Sequence, residues 1–305
     1  MKSPQKFAGT ADSLIRSRLA GLPAFKEFQA GSIGRAELQS ALAAERPEDW
    51  GLNEDQLNLA TRLCVDDESA VDRMLVRLHS EGLLPGTGYD KDRFERFRDR
   101  MDAEFDHGGH LTYIFPEEAR LLFAVAEITA PARTVFIGSY YGYWAAWALP
   151  GIAAAGGTAV LIDPDADVLQ LSADNLRRLG YSDVCTFACE DAAARLEREL
   201  AEYDLVVLDA EGPAAHGPAN RRGKAVYGPL TAAVTPWLRP GGLLLAHNVL
   251  LENLTDNGYF AGRIARNVEQ FTGFSRIVER YYDRALDLPT SEGVGAYRRG
   301  GGDTR

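Results

Sequence analysis

From Pro131 onward the chain alternates short apolar runs with longer helix-compatible stretches, and no other feature constrains its fold as strongly. Residues 134–137 read as a strand, and 144–155 as a helix interrupted at Pro150-Gly151. A second strand at 158–162 leads to a helix over 166–179, and a third at 184–188 to a helix over 192–201. A fourth strand spans 205–208. A helix over 227–238 then runs through Pro240-Gly241-Gly242 into a fifth strand at 243–246. Such alternation predicts an α/β fold, a doubly wound sheet of parallel strands wrapped by helices. Ligands on such sheets sit beyond the carboxyl ends of the strands, so chemistry is sought immediately after each one.

The first strand is followed by Gly138-Ser139-Tyr140-Tyr141-Gly142-Tyr143. Glycine lets the backbone turn tightly into a helix whose N-terminus carries partial positive charge. A dinucleotide loop needs a further glycine where the pyrophosphate approaches. Here bulky Ser139 and Tyr140 stand in those places, which predicts a nucleoside ligand without phosphates. S-adenosylmethionine fits, because tyrosine faces attract its sulfonium cation. Asp163 ends the second strand, 25 residues after Gly138, where an acid accepts hydrogen bonds from a ribose diol. Cys189-Glu190-Asp191 follows the third strand, where an adenine edge would lie. Asp163 also suits a turn before Pro164, and Asp191 a helix N-cap.

These residues resemble the small-molecule O-methyltransferases of the catechol and caffeoyl-CoA type. Residues 137–144, I-G-S-Y-Y-G-Y-W, are similar to that family's Gly-x-Tyr-x-Gly-Tyr-Ser loop. The run Y-D-L-V-V-L-D at 203–209 is similar to its fourth-strand motif. Pro240-Gly241-Gly242 through Ala246-His247-Asn248-Val249 resembles its P-G-G…A-D-N-V motif, and E-G-V-G-A-Y at 292–297 its last strand. The likeness spans residues 110–298 and implies a Rossmann-like class I methyltransferase fold. It implies that Gly138, Ser139, Tyr140, Gly142, Tyr143, Asp163, Cys189, Glu190, Asp191 and Asp209 line the cofactor pocket. Asp209, His247 and Asn248 fall on the family's three protein metal ligands. A divalent ion there binds both oxygens of a catechol-like diol and ionises the hydroxyl that takes the methyl.

The chain departs from that pattern at three places. His247 stands where the family has an aspartate. Imidazole favours Mn, Fe, Co, Ni or Zn over Mg, so the site either holds a different metal from the family's or has lost it; the candidate divalent ions are Mg, Mn and Fe. His247 is also a candidate catalytic base beside Asp209. The family lysine that follows the fourth-strand aspartate is missing from Asp209-Ala210-Glu211-Gly212-Pro213. Lys224 and His216 come later, in a Gly-, Ala- and Arg-rich loop that reads as a mobile cover, and Lys224, Arg221 and Arg222 read as solvated charges. Phe136 replaces a first-strand glutamate that would meet the methionine amino group. Tyr113, Tyr143 and Trp144 are candidates for an aromatic pocket wall.

The functional expectation is a methyltransferase acting on a small hydroxylated or amino-bearing metabolite, in secondary metabolism. Its alternative is an enzyme that transfers or cyclises the aminocarboxypropyl chain and releases methylthioadenosine. A catalytically silent cofactor-binding partner is the third reading.

Residues 1–105 read as a separate helical lid or dimerisation domain before a catalytic domain at 106–305. Asn53 with Gln56 resembles a capping box. Val71, Met74, Leu75 and Leu78 form an apolar stripe ending at Gly82, and Phe94, Phe97, Met101 and Phe105 form another. With 33 basic and 44 acidic residues the net charge is −11, which disfavours a nucleic acid partner. No apolar run reaches membrane-spanning length. The sparse cysteines Cys64, Cys185 and Cys189 suit reduced thiols in the cytoplasm. A homodimer is the expected assembly.

Overall fold

The computed structural model describes residues 8–213, 218–249 and 257–301, apart from the side chains of residues 266 and 267. His216 lies outside the described residues. A two-residue strand β1 (Gly9–Thr10) precedes six helices: α1 (Ala11–Leu19), α2 (Pro23–Gln29), α3 (Arg35–Leu42), α4 (Glu54–Leu59), α5 (Asp67–Ser80) and α6 (Lys91–Glu104). Then come β2 (Leu111–Thr112), which pairs in parallel with β1, and helix α7 (Pro116–Thr129). The alternating region follows as β3 (Arg133–Ile137), α8 (Tyr143–Ala154), β4 (Thr158–Ile162), α9 (Ala166–Arg178), β5 (Cys185–Ala188), α10 (Ala192–Leu196) and β6 (Tyr203–Leu208). It closes with α11 (Tyr227–Val234), β7 (Leu238–His247), α12 (Gly258–Tyr281), β8 (Tyr282–Leu288) and β9 (Val294–Arg299).

Seven strands form one sheet in the order β5-β4-β3-β6-β7-β9-β8. The first five run parallel, and β9 and β8 are antiparallel additions. The strand order reverses between β3 and β4 on one side and β6 on the other. That switch point opens a crevice at the carboxyl ends, where Gly138 and Asp209 lie.

All five expected strands are present, and β7 is longer than expected. Pro240-Gly241-Gly242 lies inside it rather than before it, and the pairing with β6 is irregular there. Helix α8 differs as well: it runs unbroken through Pro150-Gly151. Gly151 packs so closely on α7 that an added Cβ would stand 2.6 Å from the Glu127 nitrogen. The Pro150 carbonyl accepts a hydrogen bond from Arg93 Nη2 at 2.7 Å. Burial on both sides holds the helix where its sequence alone would break it. Helix α12 and strand β8 have no counterpart in the expectation.

The helices before the sheet divide between two cores. The buried faces of α1–α4 pack around Leu14, Ile15, Leu38 and Leu59, and Phe115 and Phe260 reach into this cluster from outside. The stripes of α5 and α6 instead join the core that covers one face of the sheet. Phe94 stacks on Trp147 of α8 with centroids 5.5 Å apart. Arg120 of α7, almost fully buried, lies over the Phe94 ring and pairs with Asp67 at 2.6 Å and with Glu95. The expected capping box at Asn53 and Gln56 begins α4, and α5 ends before Gly82 at φ +70°.

Two acids in the first turn of α7 tie the sheet to these helices. Glu117 Oε1 accepts from the Ser291 backbone at 2.7 Å and its hydroxyl at 2.6 Å. Ser291 Oγ also approaches the Arg62 carbonyl at 3.1 Å. Burial, reinforced by neighbouring Glu118, pushes the Glu117 carboxyl up to about 7. The folded chain therefore binds a proton that the unfolded chain has lost between the ordinary value near 4.5 and about 7. This stability is fully present below the lower value and is lost as pH rises through the upper one. We expect chemical denaturation of Glu117→Gln to lack that fall, and the variant to gain on the order of 2–3 kcal/mol relative to wild type between acid and pH 8. An unchanged slope would show that Glu117 titrates normally.

Candidate active site

The crevice opens into a cavity of about 1180 Å³. At one end lie Gly138 and Tyr140 from the loop after β3, Asp163 after β4, and Asp191 after β5. At the centre lie Asp209, His247 and Asn248, after β6 and β7. At the far end stand Asp55 of α4, Tyr113, and Arg263 of α12.

The loop after β3 is held by backbone geometry. Gly138 has φ +77°, and a Cβ there would sit 2.5 Å from Ala210 Cα, so the approach of the β6 end requires glycine. Gly142 caps α8 at φ +82°, and its Cβ would meet Ser172 Oγ at 2.2 Å. Tyr140 adopts φ +50°, and its backbone N–H donates to Asp163 Oδ2 at 2.9 Å. Asp163 Oδ1 accepts from the Asp165 N–H at 3.0 Å. A carboxylate has lone pairs beyond these two bonds for a ribose diol. Ser139 Oγ is buried with no hydrogen-bond partner and lines a small adjoining cavity with Tyr143 and Trp144. An orphaned hydroxyl and a glycine-shaped cradle beside an acid fit a nucleoside with a polar tail.

The loop after β5 is placed less as expected. Asp191 lines the cavity while capping α10, accepting from the Ala194 N–H at 3.0 Å. Cys189 is exposed, with Sγ 3.7 Å from the Pro164 carbonyl. Glu190 turns to Arg195 and Arg198. Neither Cys189 nor Glu190 lines the cavity.

At the centre, His247 is nearly fully buried between two carboxylates. Its Nδ1 lies 3.3 Å from Asp209 Oδ1 and its Nε2 lies 3.1 Å from Glu118 Oε2. Burial opposes a charge on the ring, but Asp209 and Glu118 outweigh it and push the imidazole up to about 10. Burial likewise works against the Asp209 charge, yet His247 and Lys224 hold its carboxyl below the usual range. Lys224 corrects the expectation of a solvated loop charge. Its side chain is only 16% exposed, and Nζ lies 3.3 Å from Asp209 Oδ1, 3.3 Å from the Ala210 carbonyl and 3.2 Å from Tyr227 Oη. The fold thus brings a lysine beside the fourth-strand aspartate from 15 residues downstream. Arg221 pairs with Asp191 at 3.3 Å. Phe136 is buried in the core under the sheet.

The divalent ion implied at Asp209, His247 and Asn248 does not suit this donor set. Asp209 Oδ1 already faces two cationic groups, and both nitrogens of His247 face carboxylates. The Asn248 amide donates to Glu292 Oε2 at 3.1 Å, and its backbone is left-handed at φ +58°. Among the described residues no group of three or more His, Cys, Asp or Glu side chains is arranged to hold a metal. Both ring nitrogens of His247 face carboxylates, an arrangement that suits a donor on each side.

Sequence reasoning missed Glu118 and Lys224. The signal for Glu118 was two consecutive acids opening the apolar helix α7. None marked Lys224, because its contact with Asp209 depends on the path of the loop. Of the aromatic candidates, Tyr113 lines the cavity with its hydroxyl 3.0 Å from Gln56 Nε2. Trp144 packs 5.0 Å from the His247 ring and donates Nε1–H to the Glu118 carbonyl at 3.2 Å.

Comparison with known proteins agrees with this geometry. Residues 135–249 match the family model described as a methyltransferase domain. A methyltransferase from Podospora anserina, solved with S-adenosylhomocysteine, is similar at 19% identity and a TM-score of 0.50, covering 77% of this chain and 97% of that one. A Staphylococcus aureus protein described as a candidate caffeoyl-CoA O-methyltransferase is similar at 14% identity and a TM-score of 0.50, covering 75% of this chain and 99% of its own. No curated protein matches the chain. No helix among the described residues is long and apolar enough to cross a membrane. The sheet order and the crevice agree with the matched segment: residues 135–249 match a methyltransferase domain, and the fold is that of the class I, S-adenosylmethionine-dependent methyltransferases.

Proposed function

We propose that the protein methylates a hydroxyl group of a small-molecule acceptor, with an amine as the other acceptor its site can take, in secondary metabolism. The observation that carries this reading is Lys224 Nζ, held 3.3 Å from Asp209 in the same cavity as Gly138 and Asp163. S-adenosylmethionine, when bound, supplies an electrophilic methyl group. Gly138, Ser139, Tyr140, Tyr143 and Asp163 are proposed to hold it, with Asp191 at the adenine end. The protein then has to place an acceptor oxygen in line and favour its ionised form. Lys224 does the second by its charge, and the acceptor proton leaves through the open cavity. Asp209 positions Lys224, and His247 positions Asp209. The bonds to Lys224 and His247 both fall on Asp209 Oδ1, and Oδ2 is assigned to orient an acceptor hydroxyl.

The far end of the cavity selects the acceptor. There Arg263 Nη1 donates to Asp55 Oδ1 at 2.8 Å and Arg263 Nη2 lies 3.6 Å from Glu292. We assign the helical region before residue 105 the role of covering this end, since Asp55 comes from α4. No observation on the described residues favours transfer of the aminocarboxypropyl chain.

The reading is tested by incubating the chain with methyl-labelled cofactor and a panel of phenols, catechols and amines. Labelled methyl product with S-adenosylhomocysteine supports it, and methylthioadenosine would replace it with chain transfer. Asp163→Ala should weaken cofactor binding by roughly 10- to 100-fold in calorimetry, the worth of hydrogen bonds to a charged group. Lys224→Met should lower kcat by roughly 100-fold while KM moves within about threefold. A rise in KM alone would instead make Lys224 a simple binding residue.

A further inference from the structure

The hydrogen-bond donors around His247 fix where its protons are. Glu118 has four partners. The backbone N–H groups of Phe115 and Glu292 donate to it at 2.9 and 3.0 Å, and the Thr290 hydroxyl at 2.7 Å. Thr290 Oγ1 itself accepts from the Gly293 N–H at 2.9 Å, so its own hydrogen is free to point at Glu118. The fourth partner is His247 Nε2 at 3.1 Å. Glu118 is thus an acceptor on both of its oxygens toward its backbone and threonine partners. Nε2 must then bring a hydrogen.

The other ring nitrogen faces the same situation. Asp209 Oδ1 accepts from Lys224 Nζ, a group with donors and no lone pair. Nδ1, 3.3 Å from the same oxygen, must bring a hydrogen too. Neither nitrogen keeps a lone pair for coordination, and a metal at Asp209 would stand beside two positive groups. Lys224 is fixed by three oxygens, those of Asp209, Ala210 and Tyr227. Tyr227 is in turn held by donating to the His247 carbonyl at 2.8 Å. The positive charge at this place is therefore built from side chains and is rigidly mounted.

We infer that the paired cations of His247 and Lys224 stand in for the divalent ion of catechol-type relatives, so that this chain binds no metal at Asp209, His247 and Asn248 and its acceptor need not be a chelating diol. The statement about the acceptor rests on the methyltransferase reading. The statement about the metal does not.

The full-length chain, freed of metal and saturated with S-adenosylmethionine, is titrated with Mn²⁺ followed by electron paramagnetic resonance, and with Mg²⁺ and Zn²⁺ by calorimetry. No saturable binding at one ion per chain is expected. One ion per chain, weakened about tenfold or more by Asp209→Asn, would overturn the inference. Nitrogen NMR of histidine-labelled wild type gives an independent readout that needs no variant. Both His247 ring nitrogens should show protonated shifts that Zn²⁺ leaves unchanged, whereas a nitrogen with a free lone pair or a zinc-induced shift would count against it. With any acceptor that the panel yields, turnover in excess EDTA should stay within about twofold of the untreated rate. Loss in EDTA restored by Mn²⁺ or Mg²⁺ would overturn the inference while leaving the methyltransferase reading intact. Failure to bind the cofactor in calorimetry would strike that reading alone, and the metal titrations decide the inference without it.

Discussion

The Glu118 carboxylate is the contact on which the site depends. It is fully buried in the first turn of α7, where an unpaired charge would be costly. Its compensation comes from three separate parts of the chain. Phe115 supplies the helix cap, Thr290 and Glu292 the turn between β8 and β9, and His247 the end of β7. That one group therefore fixes the relative position of α7, the antiparallel edge of the sheet, and the residue that orients Asp209. A helix N-terminus also favours negative charge by its dipole, so Glu118 sits where a buried carboxylate is least expensive.

How much of this was legible follows from how local each cause is. The strands β3, β4, β5 and β6 are short apolar runs bounded by turn residues, and their pattern is written in consecutive positions. The capping box at Asn53 is equally local. Strand β8 was illegible because Tyr282–Leu288 is an edge strand whose middle faces solvent with charged residues. Such edges carry charge to avoid further pairing, which erases the apolar alternation. Helix α12 is as amphipathic as α5, but its two internal glycines, Gly262 and Gly273, read as interruptions. Pro150 misled in the other direction: a helix breaker is tolerated in α8 because its neighbours pack on every side. Gly138, Asp163 and Asp209 could be found from the strand ends alone, as the crevice rule requires. Lys224 could not, since no periodicity links it to Asp209.

The histidine at position 247 sets the charge balance of the residues around it. An aspartate in its place would put a third negative group beside Asp209 and Glu118, a grouping that calls for a cation. The imidazole provides one within the protein, and the cost of burying it is met by hydrogen bonds at both nitrogens. Lys224 adds a second positive charge to the same carboxylate. Around His247 the positive charges of the ring and Lys224 thus face two acids, one of them contributed by α7.

The same accounting extends to the far end of the cavity. Arg263 lies half-buried beside Glu292 and Asp55, and Tyr259 donates its hydroxyl to Asp55 at 3.2 Å. Asn257 donates to Asn58 at 3.1 Å, so the start of α12 is bolted to α4 by polar contacts above the apolar core they share. Glu292 links this end to the centre, because it also accepts from Asn248 at 3.1 Å. A shift of α4 or α12 would therefore reach Asn248 through Glu292, and through the Glu292 backbone it would reach Glu118. The helices before the sheet are thus joined through Glu292 to Asn248, Glu118 and His247, the charged centre at which we propose the acceptor is ionised.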